Sequence, residues 1–230
     1  MTTKKLFLFD FDGVLVDSEP YHWAAFNEVF PSPDLQITRA EYDAHYLGFD
    51  DRGAFRARFQ HAGRPLTEDA LQRLVEEKGR ALERLIETQG IQPFPGVVEL
   101  LGALRREGVP LALCTGATRR DVAVILRQLR ILDVFDALVT TDDVHLSKPD
   151  PASYRLALER LQLAFPEKNI PAGQTLAVED SLWGIQAARG AGLRVLAVAN
   201  TYDDAPLRQA DFVLSSLARV TPDRLRQLLS

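Results

Sequence analysis

Five short apolar runs, Leu6 to Phe9, Leu111 to Cys114, Ala137 to Val139, Thr175 to Val178 and Val195 to Val198, recur along the chain with helical patterns between them. Strands buried on both faces read as unbroken apolar runs, and parallel neighbours need a helical crossover. The alternation therefore predicts an α/β fold on a parallel sheet. Val97, Leu100, Leu101 and Leu104 fit one helical face, with Gly108 where that helix should stop. Similar spacing predicts helices near 121–130 and 151–163, the second with Asp150 as cap and Pro151 as first helical residue. Thr221-Pro222 followed by Leu225, Leu228 and Leu229 predicts a last packing helix.

From about Glu19 to Gly90 the rhythm breaks, with several helical patterns and no convincing strand. Thr38 with Glu41 three residues on forms a capping box, and Thr67 can cap a helix carrying Leu71, Leu74, Val75, Leu82 and Leu85. Pro93-Phe94-Pro95-Gly96 punctuates the return to the α/β pattern. An inserted helical domain is expected.

A formal net charge of -5 lacks the clustered basic character of a nucleic-acid binder. Cys114 is the only cysteine, so no internal disulfide can form. No apolar stretch approaches the roughly 20 residues of a membrane helix. Met1 to Lys5 leads into only four apolar residues before Asp10, too few for a signal peptide. The expectation is a cytoplasmic protein with small-molecule partners, no nucleic acid and no membrane, and a monomer as the default for 230 residues.

Four strings follow strand ends or precede helices: Asp10-Phe11-Asp12-Gly13-Val14-Leu15-Val16-Asp17-Ser18, Cys114-Thr115-Gly116-Ala117, Ser147-Lys148-Pro149-Asp150-Pro151 and Glu179-Asp180-Ser181. Ligands of open parallel sheets bind beyond the carboxyl ends of the strands, which is where Asp10 and Asp12 would stand. Gly13 would permit a tight turn close to a ligand. Alone, each string is ordinary: an Asx turn, a turn after a strand, a surface lysine, an acid-rich helix start. Their joint order and context are specific.

Together these strings resemble the haloacid dehalogenase superfamily, in its capped phosphatase and β-phosphoglucomutase-like group. The resemblance spans nearly the whole chain and is loosest through the insertion. It implies a Rossmann-like sheet core flanked by helices, residues 1–17 and 92–230, with a small helical cap domain over residues 18–91. It further implies Asp10 as nucleophile, Asp12 as acid and base, and Thr115 and Lys148 as holders of the phosphoryl oxygens, beside Gly13 and Gly116. Asp180 would be a direct metal ligand with Asp10 and the Asp12 carbonyl, and Glu179 a ligand or an orienter behind it.

A phosphate monoester brings about two negative charges to a place already holding four carboxylates, and each like pair near 4 Å repels by about 4 kcal/mol at an effective dielectric constant of 20. One lysine cannot offset that, so a divalent cation is required, and all-oxygen ligands favour Mg2+ over zinc. Superfamily members that cleave carbon–halogen or phosphonate bonds generally lack an acid two residues after the nucleophile, so Asp12 implies phosphate-ester chemistry.

In the insertion, His22 matches a histidine that approaches the acid/base aspartate in this group. Lys78 lies on an otherwise apolar helical face, where it can reach substrate or snorkel to water. Gly48-Phe49-Asp50-Asp51-Arg52 resembles the cap specificity loop, with Asp51 where the mutase carries arginine and Arg52 as a possible replacement. The expected function is a magnesium-dependent phosphatase of a small phosphorylated metabolite, a sugar phosphate or phosphoglycolate-like ester. A phosphosugar mutase and a non-catalytic protein retaining the fold are the alternatives.

Overall fold

The computed structural model describes residues 5–47, 49–167, 170–202 and 204–229. Six parallel strands, β1 (Leu6–Phe9), β2 (Leu111–Cys114), β3 (Ala137–Val139), β4 (Thr175–Glu179), β5 (Arg194–Val198) and β6 (Phe212–Leu214), form one sheet in the order β3-β2-β1-β4-β5-β6. Five of them match the apolar runs; β6 adds a half-buried edge strand whose three residues were too few to stand out.

Side chains alternate across the sheet with period two, so Phe7 and Phe9 enter one core while Leu6 and Leu8 enter the other. On the first face lie α5 (Val97–Arg106), α6 (Arg119–Gln128) and α10 (Pro222–Gln227), packing Leu101, Ile125 and Leu225 against the strands. On the second lie α7 (Ala152–Ala164) and α8 (Leu182–Gly190), through Tyr154, Leu161 and Ile185, with the short α9 (Asp204–Leu207) adding Leu207. Burying one such large apolar side chain contributes about 1.5–3 kcal/mol, so two filled faces hold every central strand in place.

The segment between β1 and α5 holds α1 (Glu19–Val29), α2 (Arg39–His45), α3 (Asp51–His61) and α4 (Glu68–Gln89). Its own cluster centres on Phe26, Phe30, Phe55 and Leu71, with Phe26 and Phe55 edge to face at 4.9 Å. Thr38 and Glu41 form the expected capping box, and Thr67 Oγ1 accepts from Ala70 N. Such caps contribute about 1 kcal/mol each. The 22 residues of α4 straddle two cores: Leu71 and Leu74 pack within the insertion, whereas Ala81, Leu82 and Ile86 join the cluster under β1.

Two helix starts differ from expectation. The α7 helix begins one residue late, at Ala152, because Pro151 takes the cap position and Asp150 Oδ1 accepts from Ala152 N at 2.9 Å. The α6 helix begins early, at Arg119, where the Thr118 hydroxyl accepts from Asp121 N.

The sheet order also places the site. From β1 the chain builds outward to β2 and β3, then returns to lay β4, β5 and β6 on the other side. The crevice beyond the carboxyl ends of β1, β2 and β4 is thus a topological switch point, the place where open α/β sheets bind ligands.

Candidate active site

Register sets which residues meet in that crevice. Phe9 is paired with Leu113 on one side and Val178 on the other, and Asp10 N continues the ladder to Val178 O at 2.9 Å. Asp10 and Glu179 therefore emerge side by side. The chain then folds tightly on itself: Phe11 turns into the core, and its carbonyl accepts from Leu15 N at 2.8 Å. Gly13 sits at φ +74, and a β-carbon there would overlap the Asp180 carboxylate and come within 2.5 Å of Thr201 Oγ1. This turn needs glycine both for its dihedral and for its proximity to an acid.

Lys148, in the loop before α7 and followed by a cis peptide to Pro149, reaches back to the same point. Its Nζ lies 2.8 Å from Asp10 Oδ1, 2.6 Å from Glu179 Oε1 and 3.1 Å from Cys114 O. Glu179 is wholly enclosed: Oε1 also accepts from Tyr154 OH at 2.7 Å, and Oε2 accepts from Asp180 N and Ser181 Oγ, each at 3.2 Å. Gly184 makes room for it, since a β-carbon there would overlap the carboxylate. Thr115 is buried at the end of β2, where its Oγ1 accepts from Ala117 N at 2.9 Å and its own proton is left to donate. Gly116 lines the cleft beside it.

Oxygens of Asp10, Glu179 and Asp180 lie within 4.8 Å of one another, all three buried. Burial, and then the Glu179 charge, push the Asp10 carboxyl up to about 8, against the pull of Lys148. Burial, Glu179 and Asp10 likewise hold Asp180 well above the usual carboxylate range. For Lys148, burial opposes the charge, but Asp10 and Glu179 outweigh it and keep the ammonium protonated. Carboxylates crowded this way accommodate a divalent cation, and hard oxygen donors fit that charge. The residues present suit a divalent-metal site.

Asp12 accepts from Ser18 Oγ, and burial together with Glu19 pushes its carboxyl up to about 7. His22 Nε2 stands 3.8 Å from Asp12, but burial and Lys78 hold the imidazole well below its ordinary pKa, so the contact is dipolar rather than an ion pair. Lys78 Nζ lies 2.6 Å from His22 Nδ1, which accepts from the ammonium and leaves the ring proton on Nε2, toward Asp12.

The insertion corrects the snorkelling expected for Lys78 and places Arg52 at the cleft. Lys78 neither snorkels nor lines the cleft: it is fully buried, with its ammonium 2.7 Å from Asp51 Oδ1 and over the Phe26 ring. Arg52 does line the cleft, but its guanidinium is engaged by Glu68 and by Gln72 Oε1 at 3.0 Å. Gly48 of the same loop lies outside the described residues, while Asp50 caps α3 through Gly53 N at 2.7 Å and accepts from Ser147 Oγ of the core at 2.7 Å.

The cleft encloses about 290 Å³ between the sheet end and the insertion. Two of its residues carried no sequence signal of their own: Glu19, whose Oε2 accepts from Tyr42 OH at 2.6 Å, and Trp183; nor did Tyr154, which bonds Glu179 outside the cleft lining. Thr201, which follows β5 and hydrogen-bonds Asp180, stands beyond a strand's carboxyl end. The rule that flagged Asp10 would have flagged it too.

Residues 4–192 match the model of the haloacid dehalogenase-like hydrolases. The chain is 31% identical to a phosphorylated carbohydrates phosphatase of Thermotoga maritima, over 96% of each chain. It is also 31% identical to the phosphoglycolate phosphatase of Escherichia coli K12, over 93% of this chain and 90% of that one. The crystal structure of CbbY from Rhodobacter sphaeroides in complex with phosphate superposes with a TM-score of 0.84 and 28% identity, covering 95% of this chain and 96% of the other. The sheet order, the strand-end acids and these likenesses agree, and the chain belongs to the haloacid dehalogenase-like hydrolase family.

Proposed function

We propose that this protein is a magnesium-dependent phosphatase that hydrolyses a small phosphorylated metabolite through an aspartyl-phosphate on Asp10. The observation that carries the reading is the Lys148 ammonium, shared between Asp10 and Glu179 at 2.8 and 2.6 Å, with Asp12 near the same strand end holding a proton up to about 7. Nucleophile and proton donor thus come from the turn after β1 and the counter-charge from the loop before α7, all at one switch point.

In the first step an Asp10 oxygen attacks phosphorus as the ester P–O bond breaks, and Asp12 gives its proton to the departing alkoxide. In the second, Asp12, now a carboxylate, takes a proton from water, whose oxygen attacks phosphorus; the bond to Asp10 breaks and phosphate leaves. Lys148, the Thr115 hydroxyl and the backbone around Gly116 hold the transferring oxygens, since such reactions depend mainly on positioning and electrostatics. Asp10, Asp180 and the Asp12 carbonyl would hold Mg2+, which when bound supplies charge stabilisation to the phosphoryl group. Glu179 spends both oxygens on protein donors, which supports an orienting role toward Lys148 over direct ligation. His22, fixed by Lys78, orients Asp12.

Residues 18–91 are taken as the cap, and residues 1–17 and 92–230 as the catalytic core. A cytoplasmic monomer belongs to the same reading. Phosphate release from sugar phosphates, phosphoglycolate and nucleotides, with Mg2+ and then with excess EDTA, tests the proposal. Metal-dependent release is expected; release untouched by EDTA, or none from any ester, contradicts it.

A further inference from the structure

Resting on the phosphatase reading, we infer that the leaving group is an uncharged polyhydroxylated ring, a sugar or cyclitol, and that esters carrying a second anion are poor substrates. Three features of the cleft carry this.

The first is charge. Beyond Asp10, Asp12 and Asp180, the lining carries Glu19, Asp50, Asp51 and Asp142 against only Arg52 and Lys148 as cations. Lys148 is held by Asp10 and Glu179, and Arg52 by Glu68 and Gln72. Lys78, the nearest further ammonium, is enclosed and paired with Asp51. Among the described residues, both cations lining the cleft already pair with carboxylates, so a second phosphate or a carboxylate would have to displace one of them. Burial, the main cause, already drives Glu19 above the ordinary carboxylate range, and another anion at this wall would meet the same resistance.

The second is hydrogen-bonding capacity. Glu19 lines the cleft and uses Oε2 on Tyr42, which leaves Oε1 to accept from a ligand. Carboxylate oxygens accept from hydroxyls, which a sugar or cyclitol supplies and a glycolate carboxylate does not.

The third is the rim. Phe49 and Trp183 line the cleft 55% and 46% exposed, one from the insertion and one from the core. Exposed aromatic faces beside a polar cleft suit the C–H faces of a saturated ring. A volume of about 290 Å³ sits at the small end of ligand sites, enough for one ring with its phosphate.

Matched substrates test this: glucose 6-phosphate against 6-phosphogluconate, and glucose 1-phosphate against glucose 1,6-bisphosphate, each with Mg2+. The neutral partner should lead in kcat/KM by about tenfold or more, or about 1.4 kcal/mol. Glu19→Gln with Asp142→Asn should narrow that gap, and Trp183→Ala should raise KM for the ring esters more than it lowers kcat. Faster or equal turnover of the anionic partners overturns this inference alone. Absence of release from every ester overturns the phosphatase reading and this inference with it.

Discussion

Asp121 occupies the first turn of α6, only 3% exposed, where α6 faces α4: a β-carbon on Gly79 would sit 3.9 Å from its Oδ1. Burial pushes its carboxyl up to about 6; Lys78 and the Thr118 hydroxyl oppose the rise and Asp51 adds to it. In the unfolded chain the group titrates near 3.9. Between those values the native state holds more protons than the unfolded one, so this group's contribution is most favourable below about pH 4 and is lost as pH rises to 6. At about 1.4 kcal/mol per pH unit the loss is capped near 3 kcal/mol, and the favourable helix N-terminus reduces it to about 1–2. Asn has the same shape and no charge to lose. Asp121→Asn should therefore stabilise the protein by about 1–2 kcal/mol at pH 8 and by nothing at pH 4, with a Tm gain of about 2–8 °C for a chain of this length. Thermal melts of both proteins at steps from pH 4 to 8 measure this directly, because the titration of Asp10 and Asp12 is common to both and drops out of the difference. A variant less stable than wild type at pH 8, or a difference unchanged across pH 4–6, would refute the reasoning and make Asp121 a stabilising counter-ion of Lys78.

Two further predictions concern the strand-end site. Gly13→Ala forces a left-handed backbone costing about 1–2 kcal/mol and pushes the Asp180 carboxylate aside, so Mg2+ affinity by calorimetry should fall at least about tenfold; unchanged affinity would remove Asp180 from the ligand set. Lys148→Met keeps the apolar stem but removes the ammonium between Asp10 and Glu179, and kcat should fall by about 10²–10³. Retention of more than a tenth of wild-type kcat would show that the lysine serves the fold rather than the chemistry.

The sheet and the acids at its strand ends were readable in the sequence for one reason: parallel strands buried on both faces must be short apolar runs, and ligand groups in such sheets stand at their carboxyl ends. Asp10, Thr115 and Glu179 announce themselves by ending such runs. Lys148 is different, because nothing local shows that a lysine before a helix bends back to Asp10. What stayed hidden depends on partners remote in sequence. The apolar face of Lys78 leaves substrate contact and snorkelling both open, because its partners, Asp51 and His22, lie 27 and 56 residues away. Tyr154 carries no local signal, and only the fold puts its hydroxyl on Glu179. The edge strand β6 was missed because it is three residues long and half exposed, with no period to detect.

The covalent step on Asp10 is tested most directly with Asp12→Asn and p-nitrophenyl phosphate, whose leaving group needs no proton. Formation of the intermediate then proceeds while its hydrolysis, which needs the Asp12 base, is slowed. Acid quenching followed by peptide mass spectrometry should show one phosphoryl group on the peptide bearing Asp10, absent when Asp10→Asn is added. Steady turnover at the wild-type rate with no phosphorylated peptide, or a phosphoryl group on any other residue, would contradict the account.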